Sequence, residues 1–507
     1  MSKIISESRE RIVVLLLCLL AGIHVFVFSA AFPFFNNMDE LFHFDLVVKY
    51  SRGHIPRGLE LVSDEAMRYG PVYSSPEFLC LPGSFSDGQF PPPPWKYSAM
   101  SANENPQGRI DWWWTVVRDA KKSWLNYESS QQPLYYTLAG LWWDVGQWCG
   151  IKGLHLLYWL RFLNILFVST LVWLGYVAAR LVLPEIFFVR LGVPAVIAFM
   201  PQQAFYSIQN DVLSPVCFAV AFICLIKWLG AERPEVRLGI LTGLALAATF
   251  LTKMSNAPVL GVSALAVFLK TWRVCRAGKL RAWLPGLAAL FFSAALPVSG
   301  WLTWSKYAFG DFSGTAAKLQ AIGWTVKPFS EWWHHPIFTF NGFWTFLSEL
   351  LAAFWQGEFC WHANSLDLPI VDAFFVVPMI CFTVLAMRAL LSRSSNLNLF
   401  QRYTLWFGFL CFVAGVGFLA FLSIRFDFGA CPNPSRDHPY FIAGRLLLGA
   451  LVPFLLFLLY GIHHLLRGAK SQWLELTALA AMLLFMLISE IVTDWSVFQS
   501  PYNWYHS

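Results

Sequence analysis

Apolar runs of about 20 residues, each long enough to cross roughly 30 Å of hydrocarbon, recur along the chain with short polar linkers between them. They fall at 12–35, 154–180, 188–207, 211–229, 236–252, 255–272, 283–305, 369–391, 402–424, 441–466 and 473–492. The pattern predicts an all-α polytopic membrane protein of about eleven transmembrane helices, organised as a single transmembrane domain over residues 1–507. Two further apolar stretches, 133–150 and 341–357, are ambiguous by hydropathy, and loop charge arbitrates. With neither crossing, Arg180, Arg190, Lys227, Arg233, Arg237, the group from Lys270 to Arg281, Arg388, Arg393, Arg402, Arg467 and Lys470 share one side. Counting 133–150 alone as a span would reverse all of those loops, so the positive-inside bias keeps it out of the bilayer. Both stretches carry tryptophans (Trp142, Trp143 and Trp148; Trp344 and Trp355), which suits helices lying along the membrane surface.

The orientation that follows has a cytoplasmic N-terminus and three external segments, 36–153, 306–368 and Arg425 to Tyr440. In the first, Pro91 to Pro94 must run extended. The start, Lys3, Arg9 and Arg11 before an apolar run from Ile12 to Phe35, reads as an uncleaved anchor. A signal peptide cleaved near Ser29-Ala30-Ala31 is the alternative, but the run exceeds the usual core of about 7–15 residues.

Composition agrees with the membrane reading: 57% of residues are hydrophobic and 13% charged, against about 25% charged in a soluble domain. The net charge of +6 sits in short loops and calls for no nucleic-acid partner. The ten cysteines form no CxxC pair. Cys80, Cys149, Cys360 and Cys431 fall on the external side, where they are either free or joined in one of three pairings.

The densest polar stretch, Asn36 to Asp45, follows the first apolar run directly. If 38–50 is helical, Asp39 and His43 share a face, Glu40 lies about 100° round from Asp39, and Asp45 points away. Asp39 and Glu40 could simply cap that helix. The other reading is chemical, because a general base needs a carboxylate held within hydrogen-bond reach and neighbours that tune it. Asp211, beside Asn210, either caps the next span or lines a pocket. Lys253, Arg161 and Arg445 stand near external span ends, where they snorkel to the interface or bind an anion. Lys253 favours the anion, since it lies on the side that topology leaves poor in positive charge. Trp112, Trp113, Trp114, Trp324, Trp332 and Trp333 are read as interfacial residues, with stacking on sugars as the alternative. His334, His335, His362 and Glu358 show no diagnostic metal spacing, and no cofactor is assigned, although a divalent metal is left open.

These residues resemble a known family. Asp39-Glu40-x-x-His43, then Gly53-His54-Ile55-Pro56, then Gln132-Pro133-Leu134-Tyr135-Tyr136 resembles the opening of the GT-C integral-membrane glycosyltransferases. The likeness is to protein O-mannosyltransferases, lipid A aminoarabinose transferases and related uncharacterised bacterial membrane proteins. Gln132-Pro133 stands where many members have two prolines. Arg161, Asn210-Asp211-x-Leu213 and Leu251-Thr252-Lys253 extend the match. Gly444-Arg445-Leu446 resembles a recurrent Gly-Arg-Tyr-Leu-Leu-Pro stretch, with Leu446 in place of the aromatic and Gly449 in place of the nearer proline. The likeness covers the first 260 residues, and beyond about 290 it rests on hydropathy and that one arginine.

The resemblance implies a GT-C-like bundle whose long first external loop carries interfacial helices. It implies transfer of a sugar from a polyprenyl-phosphate donor to an acceptor hydroxyl, with inversion, on the external side of a bacterial inner membrane. Asp39 and Glu40 would be catalytic, and His43, Arg161, Asn210, Asp211, Lys253 and Arg445 would bind substrate. The implied partners are the donor, a cell-envelope acceptor (glycan, lipid or protein) and membrane lipids. A transporter or lipid flippase is the rival reading, opposed by the absence of a visible repeat and by the long segment after the first span. A non-catalytic scaffold is the third.

Overall fold

The computed structural model describes residues 7–36, 38–79, 93, 125–362, 364–392, 397–431, 433–467 and 471–506. Lys3, Asn37, Cys80, Pro91, Pro92, Pro94, Trp112, Trp113, Trp114, Arg393 and Lys470 lie outside the described residues.

Among the described residues, nine helical stretches are long and apolar enough to cross a membrane: Glu7–Ala31, Gly153–Val182, Asn210–Gly230, Met254–Arg276, Leu280–Phe309, Pro369–Leu391, Leu399–Arg425, Gly444–Leu466 and Gln472–Thr493. Two shorter apolar helices, Phe187–Ala198 and Val236–Thr252, fall on the remaining two expected spans. The protein is therefore an all-α polytopic membrane protein. The ambiguous stretches form 16-residue helices, Pro133–Trp148 and Phe340–Trp355. The first lies against the helix Glu40–Ser51, because Gly140 lets the two backbones touch: a Cβ there would sit 2.9 Å from the Ser51 nitrogen.

The expected span 188–207 is interrupted. Helix Phe187–Ala198 stops, and residues 199–213 run as turns and two 3-10 segments, with 200–213 buried throughout. Pro201 explains the stop, since a residue before proline is driven out of the α region. Buried irregular backbone is tolerable only if other groups satisfy it. Asn164 Nδ2 donates to the Phe205 and Ser207 carbonyls at 3.0 and 2.9 Å, and Gln202 Nε2 to the Phe354 carbonyl at 2.7 Å. The Ile208 N–H donates to Glu40 Oε1 at 2.8 Å.

Burial separates centre from rim. The Gly444–Leu466 stretch is 89% buried, whereas Met254–Arg276 and Leu280–Phe309 are 17% buried and form the outer wall. Val236–Thr252 and Leu280–Phe309 approach at small residues, since a Cβ on Gly243 would meet the Leu290 carbonyl at 2.3 Å. At one end of the bundle Arg180 pairs with Glu7 (2.7 Å) and Arg190 with Glu10 (2.8 Å). At the other end lie the acidic stretch and the connections 310–368 and 426–443. There β1 (Thr325–Val326) pairs antiparallel with β4 (Phe426–Asp427), and β2 (Cys360–Trp361) with β3 (Asn364–Ser365).

Candidate functional site

Asp39 occupies the N-cap position of Glu40–Ser51 with left-handed backbone, φ 62° and ψ 18°. Its side chain makes no cap hydrogen bond and turns away from the helix, where the Tyr127 hydroxyl donates to Oδ1. The capping alternative therefore does not describe its carboxylate. Glu40 turns the opposite way. It is fully buried and accepts from the Phe35 N–H at 2.9 Å, Asn36 Nδ2 at 3.1 Å, Ile208 N–H at 2.8 Å, and Arg161 Nε and Nη2 at 2.8 and 2.7 Å.

Arg161 is equally enclosed. Besides Glu40 it donates to the carbonyls of Ser29 (3.2 Å), Phe32 and Pro33 (2.8 Å), and its guanidinium lies 4.0 Å from the Phe34 ring centre. All five of its N–H groups are thus engaged, leaving none for a phosphate. The Glu40–Arg161 pair fastens the end of the first span to the start of the second.

The groups that do meet Asp39 come from further along. Asp45, buried, accepts from Asn126 Nδ2 (2.7 Å), Lys49 Nζ (2.9 Å) and the Ser63 N–H (2.7 Å). Asn126 Oδ1 in turn accepts from the Glu128 N–H (2.9 Å), so this contact holds the turn that presents Tyr127 and Glu128. Glu128 receives Lys318 Nζ at 2.6 Å and Gln131 Nε2, and Gln131 Oε1 accepts from Asn210 Nδ2 at 3.0 Å. Lys318 Nζ also lies 5.5 Å from the Tyr127 ring centre. Burial, reinforced by the nearby Glu128 charge, raises the pKa of Asp39. Burial acts on Glu128 too, but Lys318 and the other groups around it together outweigh it and hold that carboxyl down at about 2. The two carboxylates are thus pushed in opposite directions, Asp39 toward its neutral form and Glu128 toward its ionised one.

A second group abuts the first. Lys253 Nζ donates to both oxygens of Asp211 at 2.7 Å, Arg445 Nε stands 3.3 Å from Asp211 Oδ2, and Arg445 Nη1 donates to Glu358 Oε2 at 2.7 Å. Arg445 is close enough to both Asp39 and Glu128 to exchange charge interactions with them. Glu358 Oε1 is buried without a hydrogen-bond partner. Burial also raises the Glu358 pKa, so this carboxyl leans toward its neutral form. Four acids (Asp39, Glu128, Asp211, Glu358) face three cations (Lys318, Lys253, Arg445). His43 lies behind them, bonded through Nδ1 to the Tyr136 hydroxyl at 2.6 Å, and burial lowers its pKa to about 4. It is neutral and braces the Pro133–Trp148 helix.

Of the expected residues, Asp39, Asp211, Lys253 and Arg445 share one charged neighbourhood, Asn210 borders it through Gln131, and His43 stands behind it. Tyr127, Glu128 and Lys318 were not anticipated. The one available signal was a carboxylate a few residues before Gln132-Pro133. Glu358 pairs with Arg445, while His335 Nε2 bonds the Pro439 carbonyl at 3.0 Å, so the histidines do not gather around it. Among the described residues no group of three or more His, Cys, Asp or Glu side chains is arranged to hold a metal. Cys149 and Cys431 are free thiols.

The family described as "Predicted membrane protein (DUF2142)" matches residues 20–429, a stretch that includes every charged residue of the site except Arg445. The match spans most of the chain, which therefore belongs to that family. No curated protein and no solved structure matches the chain.

Proposed function

We propose that this member of the DUF2142 family is a GT-C-type membrane glycosyltransferase. In this reading it moves a sugar, with inversion, from a polyprenyl-phosphate donor to an acceptor hydroxyl at the end of the bundle that carries Asp39. The observation that carries the reading is the turning of Asp39 out of its cap position, onto Tyr127 and beside Glu128, within range of Lys318 and Arg445. Asp39 takes the acceptor proton as the acceptor oxygen bonds to the anomeric carbon, while the bond from that carbon to the phosphate oxygen breaks. Arg445 and Lys318 balance the charge on the leaving phosphate. Lys253, already shared between both Asp211 oxygens, steadies Asp211 and through it Arg445. Because the Asp39 pKa is raised and a base works deprotonated, activity rises as pH climbs through that raised value. By the positive-inside argument this end faces the outside of a bacterial inner membrane.

The test is transfer of radiolabelled sugar from a lipid-linked donor in vesicles containing the purified protein. Transfer that Asp39→Asn abolishes supports the reading, and full activity in that variant removes Asp39 from the mechanism. A transporter is the second reading, favoured by the buried break at 199–213 and by a His24–Glu490 contact of 2.6 Å inside the bundle. Movement of the lipid-linked sugar without bond cleavage would select it.

A further inference from the structure

A cavity of about 340 Å³ opens between the segments 327–336 and 426–439, apart from the charged cluster around Asp39. Two connections separated widely in sequence build it. The β1–β4 ladder joins them, the Lys327 N–H extends it to the Arg425 carbonyl at 2.9 Å, and His335 Nε2 closes the far side on the Pro439 carbonyl. His335 Nδ1 accepts from the Ile337 N–H at 3.1 Å, so both ring nitrogens are occupied and His335 serves as wall. Phe426, Phe428 and Pro439 supply apolar surface.

The polar lining is balanced in sign. Lys327 and Arg436 face Glu331 and Asp427, and Arg436 Nε is paired to Asp427 Oδ1 at 2.9 Å. The Lys327 ammonium and the Glu331 carboxylate make no hydrogen bond or ion pair with another described residue, so one strong donor and one strong acceptor are open to a ligand. An anion entering here meets Glu331 and Asp427, and a cation meets Lys327 and Arg436. A neutral polyhydroxyl ring suffers neither repulsion, and its hydroxyls both donate and accept. The volume lies at the small end of the roughly 300–1,000 Å³ range of ligand clefts, which limits the occupant to one or two rings.

We infer that this cavity is a binding site for a neutral saccharide. Its place gives it a use. From Phe428 the chain turns to Cys431, whose N–H donates to the Phe428 carbonyl at 3.0 Å, and the Cys431 thiol lies within electrostatic reach of Tyr127, the partner of Asp39. A glycan seated here extends toward Asp39, so the site holds the non-reacting part of a saccharide acceptor. That role rests on the glycosyl-transfer reading, whereas the binding itself does not.

The experiment is saturation-transfer difference NMR on the full chain, carrying Asp39→Asn to prevent turnover, in a detergent without a sugar headgroup. The probes are maltose and N-acetylglucosamine, with glucuronate and glucosamine as charged controls. The neutral sugars should take up saturation, and Lys327→Ala combined with Glu331→Gln should weaken them about tenfold or more. Glucuronate and glucosamine should bind more weakly than the neutral pair. No saturation of either neutral sugar, no change in the double variant, or tighter binding of a charged control overturns the inference. Sugar binding that depends on Lys327 and Glu331 in a protein with no transferase activity keeps the site and removes only its acceptor role. Transfer activity without sugar binding removes the site and leaves the glycosyl-transfer reading standing.

Discussion

Asp39 and Glu40 follow one another in the chain, yet Glu40 points into the bundle, where Arg161 and four further N–H donors enclose it, while Asp39 points outward to Tyr127. The left-handed backbone at Asp39 divides the pair between two regions. One region is dry and saturated with hydrogen bonds. The other is partly open, mixed in charge, and includes the unpartnered Glu358 oxygen. A buried ion pair whose hydrogen bonds are all made resists exchange with a ligand, whereas a cluster with spare capacity accommodates one. Adjacent carboxylates thus differ in use because of what surrounds them.

The largest effect should come from breaking the enclosed region. Arg161→Ala leaves Glu40 buried without its cation and is expected to destabilise the fold by about 3–5 kcal/mol. Thermal unfolding of the solubilised protein measures this, and an unchanged transition would show that Glu40 finds other partners. Asp39→Asn should leave that transition in place and cut transfer about 10²–10⁴-fold. If the two substitutions cost stability equally, the division between the regions is wrong.

Glu128→Gln sharpens the open side. The Glu128 charge adds to burial in raising the Asp39 pKa, so removing it lowers that pKa and moves the acid limb of the pH–rate profile to lower pH. Glu128 itself has a folded pKa of about 2, below its ordinary 4.5, so its stabilisation is present above about 4.5 and lost as pH falls toward 2. Acid titration of the wild type should show that loss and the variant should lack it. Smallest is Tyr127→Phe, which deletes one hydrogen bond to Asp39 and should slow transfer about tenfold with no change in melting. An unchanged rate would show that the hydroxyl does not tune Asp39.

The spans were legible because burial in lipid imposes one long-range rule, continuous apolarity, that hydropathy reads directly. The break after Ala198 escaped, since apolar residues resume at Ala204 to Tyr206 beyond Pro201-Gln202-Gln203 and a long hydropathy window runs across the point where the helix stops. Asp39 stood out because it follows a span. Its partnership with Tyr127 and Glu128 did not, because the turn that presents them is fixed by Asp45 and Asn126, a contact no local pattern encodes. The surroundings of Arg161 were equally illegible: its five acceptors come from 29–33 and Glu40, and only the packed helices bring them there.

The buried segment 200–213 also ties early parts of the chain to late ones. Its Ile208 N–H is tied to Glu40, and its Tyr206 hydroxyl donates to Glu490, which lies in Gln472–Thr493. A ribosome delivers Asp39, Glu128, Asp211, Lys253 and Lys318 long before Arg445 and Glu490. Until Arg445 and Glu490 have been made, the acidic centre lacks one cation and Tyr206 lacks its carboxylate partner. The charged site is therefore complete only once Arg445 has joined the helices that precede it in the chain.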